Sequence, residues 1–203
     1  MRDRGPGRLE AFSDGVFAIA ATLLTLEIGV DTTRGDLGSQ LTRIWPSYLA
    51  YVTTFLMIGV IWINHHHCVS MIGRVDRPFL FINLLLLLTV SFMPFPTKLV
   101  AHYLQKPGEN EAVIAYAVTM LAMACVYNVW WRYARSGRRL IATGVPDSSL
   151  RAVDAAYSPG VPLYATVLGI AFVSPLASVA GTLGIAVFYL PSAALFERSS
   201  EPL

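Results

Sequence analysis

The sequence predicts an all-α integral membrane protein with six transmembrane helices in a single domain, residues 1–203. Three observations lead there. Hydrophobic residues make up 55% of the chain, charged residues only 14%, and mean hydropathy is +0.55. A soluble domain carries roughly 25% charge to cover its surface, and a disordered chain cannot be this apolar. The charges are also spaced. Thirty residues between Arg43 and Arg74, 20 between Arg77 and Lys98, 20 between Glu111 and Arg132, and 42 between Asp154 and Glu197 contain no Asp, Glu, Lys or Arg; about 20 apolar residues span a bilayer as a helix. Finally, the charges are sided: eleven of the 15 Lys and Arg residues fall on one side of the six-span layout and four on the other.

Each span follows from these runs. Span 1, residues 8–30, is apolar from Ala11 to Ile28 except for Asp14 and Glu27. Arg2, Arg4 and Arg8 give it a basic start. Glu10 and Asp14 break the approach, however, and the A-x-A of Ala18-Ile19-Ala20 lies inside the apolar stretch, so it reads as a retained helix rather than a signal peptide. Spans 2, 3 and 4 occupy 43–70, 78–104 and 111–135. As one helix the last run would be roughly 63 Å long, about twice a ~30 Å hydrocarbon core. It must fold back, at Ser174-Pro175, into span 5 (153–173) and span 6 (176–196), leaving a basic loop at 136–152. Trp45, Tyr48 and Tyr51 on span 2, and Trp130, Trp131 and Tyr133 on span 4, sit where interfacial aromatic belts form. Ser174, Ser178, Thr182 and Ala186 recur every four residues, a small-residue face for close helix packing. Cys68 and Cys125 read as buried, inert thiols. A β-barrel is excluded because its strands alternate rather than forming uninterrupted apolar runs.

The charge bias places both termini in the cytoplasm of a multi-pass protein of the cell membrane, with the lipid bilayer as its surroundings. A net charge of +2, scattered between apolar runs, excludes a nucleic-acid partner. There is no phosphate-binding loop and no nucleophile–base motif, so neither an enzyme nor a cofactor is expected. The T-V-G-Y-G stretch of a carbonyl-lined potassium filter is also missing.

Span 1 holds the polar groups that need explaining. A carboxylate facing lipid costs at least ~2.5 kcal/mol, so Asp14 faces protein or water. Arg8 and Asp14 point about 240° apart on an ideal helix and cannot pair. Trp62 and His65 near the inner end of span 2, and Asn83 a turn into span 3, lie at the depth of Arg8, Ser13 and Asp14. The expected result is a hydrogen-bonded layer. It serves either as a clasp fixing three helices or as a proton relay through Asp14 and His65, the latter making the chain a cation- or proton-coupled secondary transporter. Transporters carry inverted repeats and broken helices, and neither is visible here. Farther along span 1, Ile19, Leu23 and Leu26 share one face, with Thr22 and Thr25 flanking it. That face packs against core or lipid, or it forms apolar constrictions in a pore that gate by dewetting. His65, His66 and His67 point 100° apart and cannot converge on one ion, and His102 is the only other histidine, so no metal site is expected.

These residues resemble a known family. Arg8-Leu-Glu-Ala-Phe12-Ser13-Asp14 reads as R-x-x-x-F-S-D and runs on into Gly15-Val-Phe-Ala-Ile-Ala-Ala-Thr-Leu-Leu; Trp62-Ile-Asn-His65 reads as W-x-x-H; Asn83-Leu84 opens an apolar run ending in Pro94-Phe95-Pro96-Thr97. In order, and across all six spans, they are similar to the prokaryotic branch of the lysosomal potassium-channel family, transmembrane protein 175.

The resemblance implies a potassium-permeable cation channel without the usual filter, assembled as a homotetramer of six-helix subunits, with helix 1 of each lining the pore. Ile19, Leu23 and Leu26 would be the constrictions forming the gate, and Thr22 the polar layer contributing to selectivity among K+ and other monovalent cations. Arg8, Phe12, Ser13 and Asp14 would join Trp62, His65 and Asn83 in a network holding helices 1 to 3 together. Glu27 at the outer end would raise the local cation concentration. His66 and His67 exceed the family motif.

Overall fold

The computed structural model describes residues 5–29 and 36–198, with side chains described through residue 190. Among the described residues the regular structure is helical, apart from one isolated bridge, Ile72 to Ile141. Helix α1 (Gly7–Leu23) starts after Pro6, whose carbonyl accepts from Glu10 N–H at 2.9 Å, and ends in a tighter 3-10 turn, Leu24–Glu27. Its buried residues Leu9, Ser13, Phe17, Ala20 and Leu24 recur at intervals of three and four, one face of a helix. Short α2 (Leu37–Arg43) is capped by Asp36, whose carboxylate accepts from Ser39 N–H at 3.1 Å. Pro46, in the first turn of α3 (Trp45–Ser70), suits a position where no donor is needed.

Asp76 caps α4 (Arg77–Phe92) by accepting from Phe79 N–H at 2.9 Å. Helix α5 (Pro94–Tyr103) continues α4 across Met93. Pro94 and Pro96 lack N–H donors, so the ladder loosens there and resumes with Thr97 N–H to Met93 O at 3.2 Å. The turn before α6 (Glu109–Arg135) uses Gly108 at φ +96°, where a Cβ would meet the Tyr103 ring at 3.1 Å. Helix α6 is the centre of the bundle, packing on α4, α5, the later α8 (Gly160–Ala171) and α9 (Pro175–Arg198). Tyr116, Met120, Met123, Tyr127 and Trp130 form its buried stripe.

By length and composition, Gly7–Glu27, Trp45–Ser70, Arg77–Tyr103 and Glu109–Arg138 can each cross a bilayer, and Pro175–Leu190 is a shorter apolar helix. The fifth predicted segment differs from its expectation. It begins at Asp147 rather than 153 and is two helices, α7 (Asp147–Tyr157) and α8, because Pro159 and Pro162 remove two donors from the ladder within one turn. The fold-back at Ser174-Pro175 is present, and the small-residue face is buried: Ser178 Oγ donates to Val167 O of α8 at 3.0 Å. Between lipid-facing helices hydrophobicity supplies little net attraction, so such close contacts and hydrogen bonds hold the bundle.

Three sequence readings are corrected. Trp130 and Trp131 are 0% and 3% exposed, so they are core residues and not an interfacial belt. Cys68 is buried as expected, but Cys125 is exposed. The segment at 136–152 is not all loop: its end belongs to α7, and its start pairs with the α3–α4 turn through Gly73 N–H to Leu140 O and Ala142 N–H to Met71 O, each 2.9 Å. A Cβ at Gly73 would lie 2.9 Å from the Ala142 backbone, so this crossing requires glycine.

Candidate functional site

Helix α1 packs on α3 and α4 at the edge of the bundle, and that position divides its side chains into two sets. The inward set holds the polar chemistry. His65 Nε2 and Asn83 Oδ1 are 3.0 Å apart; because the amide oxygen only accepts, Nε2 carries the hydrogen and donates. Asn83 Nδ2 then donates to Ser13 Oγ at 3.1 Å, and Ser13 Oγ donates to Leu9 O at 2.8 Å. The three polar residues are 2% exposed or less, so a directed chain of three bonds joins α3 to α4 to α1 inside the bundle. The His65 ring is packed between aromatics, 4.9 Å from Trp130 and 5.5 Å from Phe17. One turn away, Trp62 Nε1 donates to Asp14 Oδ1 at 2.8 Å, a charge-assisted bond between α3 and α1. His66 Nδ1 lies 3.0 Å from Glu10 Oε1, a third link between the same two helices.

Five of the seven network residues predicted from sequence are therefore brought together: Ser13, Asp14, Trp62, His65 and Asn83. Arg8 and Phe12 are not joined to them. Both are exposed, on the opposite set of α1 side chains, and among the described residues Arg8 bonds to none of the other six. Asp14 and His65 make separate bonds to different partners, which gives a proton no direct path between them.

The outward set is the apolar stripe. Ile19 is 61% exposed, Leu23 41% and Leu26 76%. That is too much large apolar surface to leave without lipid or another subunit against it. Thr22 lies on the same side, its hydroxyl donating to Ile19 O at 2.9 Å, which leaves the oxygen lone pairs outward. At the outer end Glu27 is 3.2 Å from Lys98 of α5, with its side chain only 17% exposed. It therefore links the 3-10 turn to α5.

Sequence reasoning missed a second buried polar group in the outer half. Thr54 Oγ1 sits 3.0 Å from both Thr97 Oγ1 and Tyr116 OH, joining α3, α5 and α6. The uncharged residues left no mark in a reading based on charge. Among the described residues no group of three or more His, Cys, Asp or Glu side chains is placed to hold a metal ion.

Comparison with known proteins agrees with this geometry. The model of the endosomal/lysosomal potassium channel TMEM175 matches residues 8–94, which contain α1 from Arg8 onward and all of α3 and α4. A potassium channel of Chamaesiphon minutus is 42% identical over 187 residues, covering 90% of this chain and 92% of the relative. A potassium channel of Streptomyces collinus is 42% identical over 187 residues, with 90% of each covered. The crystal structure of a lysosomal potassium-selective channel TMEM175 homolog from Chamaesiphon minutus superposes with a TM-score of 0.83 at 41% identity, covering 92% of this chain and 97% of that one. The chain is thus similar over nearly its whole length to potassium channels, and it belongs to the TMEM175 family.

Proposed function

We propose that the chain is one subunit of a homotetrameric potassium channel whose pore is lined by four copies of α1. The observation that carries this is the division of α1: Glu10, Ser13 and Asp14 find partners within the subunit, while Ile19, Thr22, Leu23 and Leu26 are presented outward. Around a four-fold axis those side chains form stacked rings. The apolar rings of Ile19, Leu23 and Leu26 expel water and set a barrier to hydrated ions. The Thr22 oxygens, with lone pairs outward, offset part of the cost of stripping water from K+ and other monovalent cations. No cofactor takes part; the permeant ion is the only small species the mechanism requires.

Arg8 and Phe12 continue the exposed side of α1 toward its inner end, where a neighbouring subunit or the inner pore mouth would meet them. Six crossings leave both termini in the cytoplasm of a cell-membrane protein, supported by the eleven-to-four distribution of basic residues.

The test is purified protein in liposomes, with K+ flux measured against Na+ flux under an imposed gradient. Passive flux, faster for K+, is expected without any pH gradient. Ile19→Asn should wet the narrow segment; lowering the barrier by about 1.4 kcal/mol raises flux roughly tenfold and narrows the preference for K+. Unchanged flux in a well-assembled Ile19→Asn channel would remove Ile19 from the constriction. Flux that saturates and requires a proton gradient would replace the pore with a coupled transporter.

A further inference from the structure

Three clefts whose lining residues all lie outside α1 run into one another. The first, at the arginine-rich end of α6, is lined by Arg132, Arg135, Ser136, Arg138 and Leu150 among others. The second shares Arg132 and Arg135 with it and continues past Trp131, Asn128 and Tyr157. The third shares Asn128 and Tyr157 with the second and opens into a shallow apolar recess walled by Met57, Met120, Met123 and Ala124. The guanidinium end also carries the Asp147 and Asp154 carboxylates; beyond it the lining changes to carboxamide and then to thioether and methyl.

The charged end has positive charge to spare. Arg135 pairs with Asp154 and Arg138 with Asp147, but Arg132 is exposed and has no carboxylate partner among the described residues. Around it the two loops and their flanking turns, residues 71–78 and 132–154, carry seven Arg against three Asp. Asn128 lies one helical turn, roughly 5.4 Å, deeper than Arg132. Its Nδ2 is used by Ala124 O at 3.1 Å. Asn64, half-buried at the recess, has a carboxamide without a hydrogen-bond partner among the described residues.

We propose that this groove holds an anionic glycerophospholipid: its phosphate on Arg132 and Arg135, its glycerol ester level with Asn128 and Asn64, and one acyl chain in the recess. A basic pocket at the membrane surface selects an anionic headgroup, and the guanidinium fork matches two phosphate oxygens. The ester lies just below the phosphate in such a lipid, which is the depth of the two carboxamides. Asn64 donates to an ester carbonyl, the partner it lacks within the chain.

The experiment uses the full-length protein in detergent and reads binding by native mass spectrometry and thermal shift. The probes are dioctanoyl-phosphatidylglycerol, dioctanoyl-phosphatidylcholine and inorganic phosphate. Phosphatidylglycerol should bind about tenfold tighter than phosphatidylcholine, the order of one guanidinium on a phosphate with net charge. Arg132→Gln should remove most of that preference by weakening phosphatidylglycerol more than phosphatidylcholine, and Arg132→Lys should keep most of it. Ala124→Phe, which fills the recess, should weaken both lipids. Inorganic phosphate competing as well as the lipid would make this a free-anion site and overturn the proposal. So would equal binding of the two lipids, or indifference to Arg132→Gln in protein that elutes as wild type. Binding is read without ion flux, so the outcome does not depend on conduction.

Discussion

The two ends of α1 are held by different physics. The inner end is fixed by neutral hydrogen bonds among fully buried groups, Ser13, Asn83 and His65, reinforced by the Trp62–Asp14 bond one turn away. These bonds are directional, shielded from salt, and shared by three helices. The outer end is a 3-10 turn that buries Leu24 against the bundle, and its link to α5 through side-chain charge is one ion pair, Glu27 to Lys98, with the lysine side chain 65% exposed. Such a pair is weak and screened. The apolar stripe from Ile19 to Leu26 therefore begins on a rigid support and ends on a compliant one. If α1 lines the pore as proposed, a change in pore width is expected to move Leu23 and Leu26 before Ile19.

The most disruptive way to break this contrast is Asn83→Leu. It leaves the His65 Nε2–H and Ser13 without their partner inside the bundle, at a cost of about 2–3 kcal/mol. The melting temperature in detergent should fall by several degrees, with loss of assembled channel. Asn83→Ala with an unchanged melting temperature would show that the chain of bonds does not hold the inner end. Next is Trp62→Phe, which keeps the ring and deletes the donor to Asp14; about 1–2 kcal/mol is expected, since the carboxylate is half-exposed and partly rescued by water. Asp14→Asn keeps an accepting oxygen and should cost less than Trp62→Phe in the same melt. Ser13→Ala is milder again, about 1 kcal/mol, in keeping with single interhelical hydrogen bonds in membranes.

This polar layer was readable in the sequence because depth is readable. Asp14 cannot face lipid, and the positions of Trp62, His65 and Asn83 within their spans put them at its level. What depth cannot give is azimuth. Trp130 sits near a helix end and was expected at the interface, yet it stacks on His65. The signal that places it is the stripe Tyr116, Met120, Met123, Tyr127 and Trp130, with gaps of four, three, four and three, which turns that side of α6 inward. Arg8 and Phe12 show the opposite error. They share a motif with Ser13 and Asp14, but a motif does not say that its members face one way, and these two fall on the exposed set. The break at Ser158-Pro159 was spelled out by Pro159 and Pro162 and was lost in counting an uninterrupted apolar run.

The smallest expected effect concerns the outer end and sharpens the contrast most. Glu27 near a pore mouth would ordinarily concentrate cations, but here Lys98 neutralises it at 3.2 Å. Glu27→Gln should then cost only about 0.2–1 kcal/mol in stability, and the difference should vanish in high salt. K+ flux should hardly change. Lys98→Met should do the reverse: it frees the carboxylate and raises K+ flux at low ionic strength, by a modest factor that salt abolishes. The double variant Glu27→Gln, Lys98→Met returns flux to the wild-type level if the carboxylate alone is responsible. If Glu27→Gln by itself lowers flux several-fold at low salt, the pair does not hold in the conducting channel. The outer end of α1 would then be freer than the ion pair allows, and the asymmetry between its two ends larger.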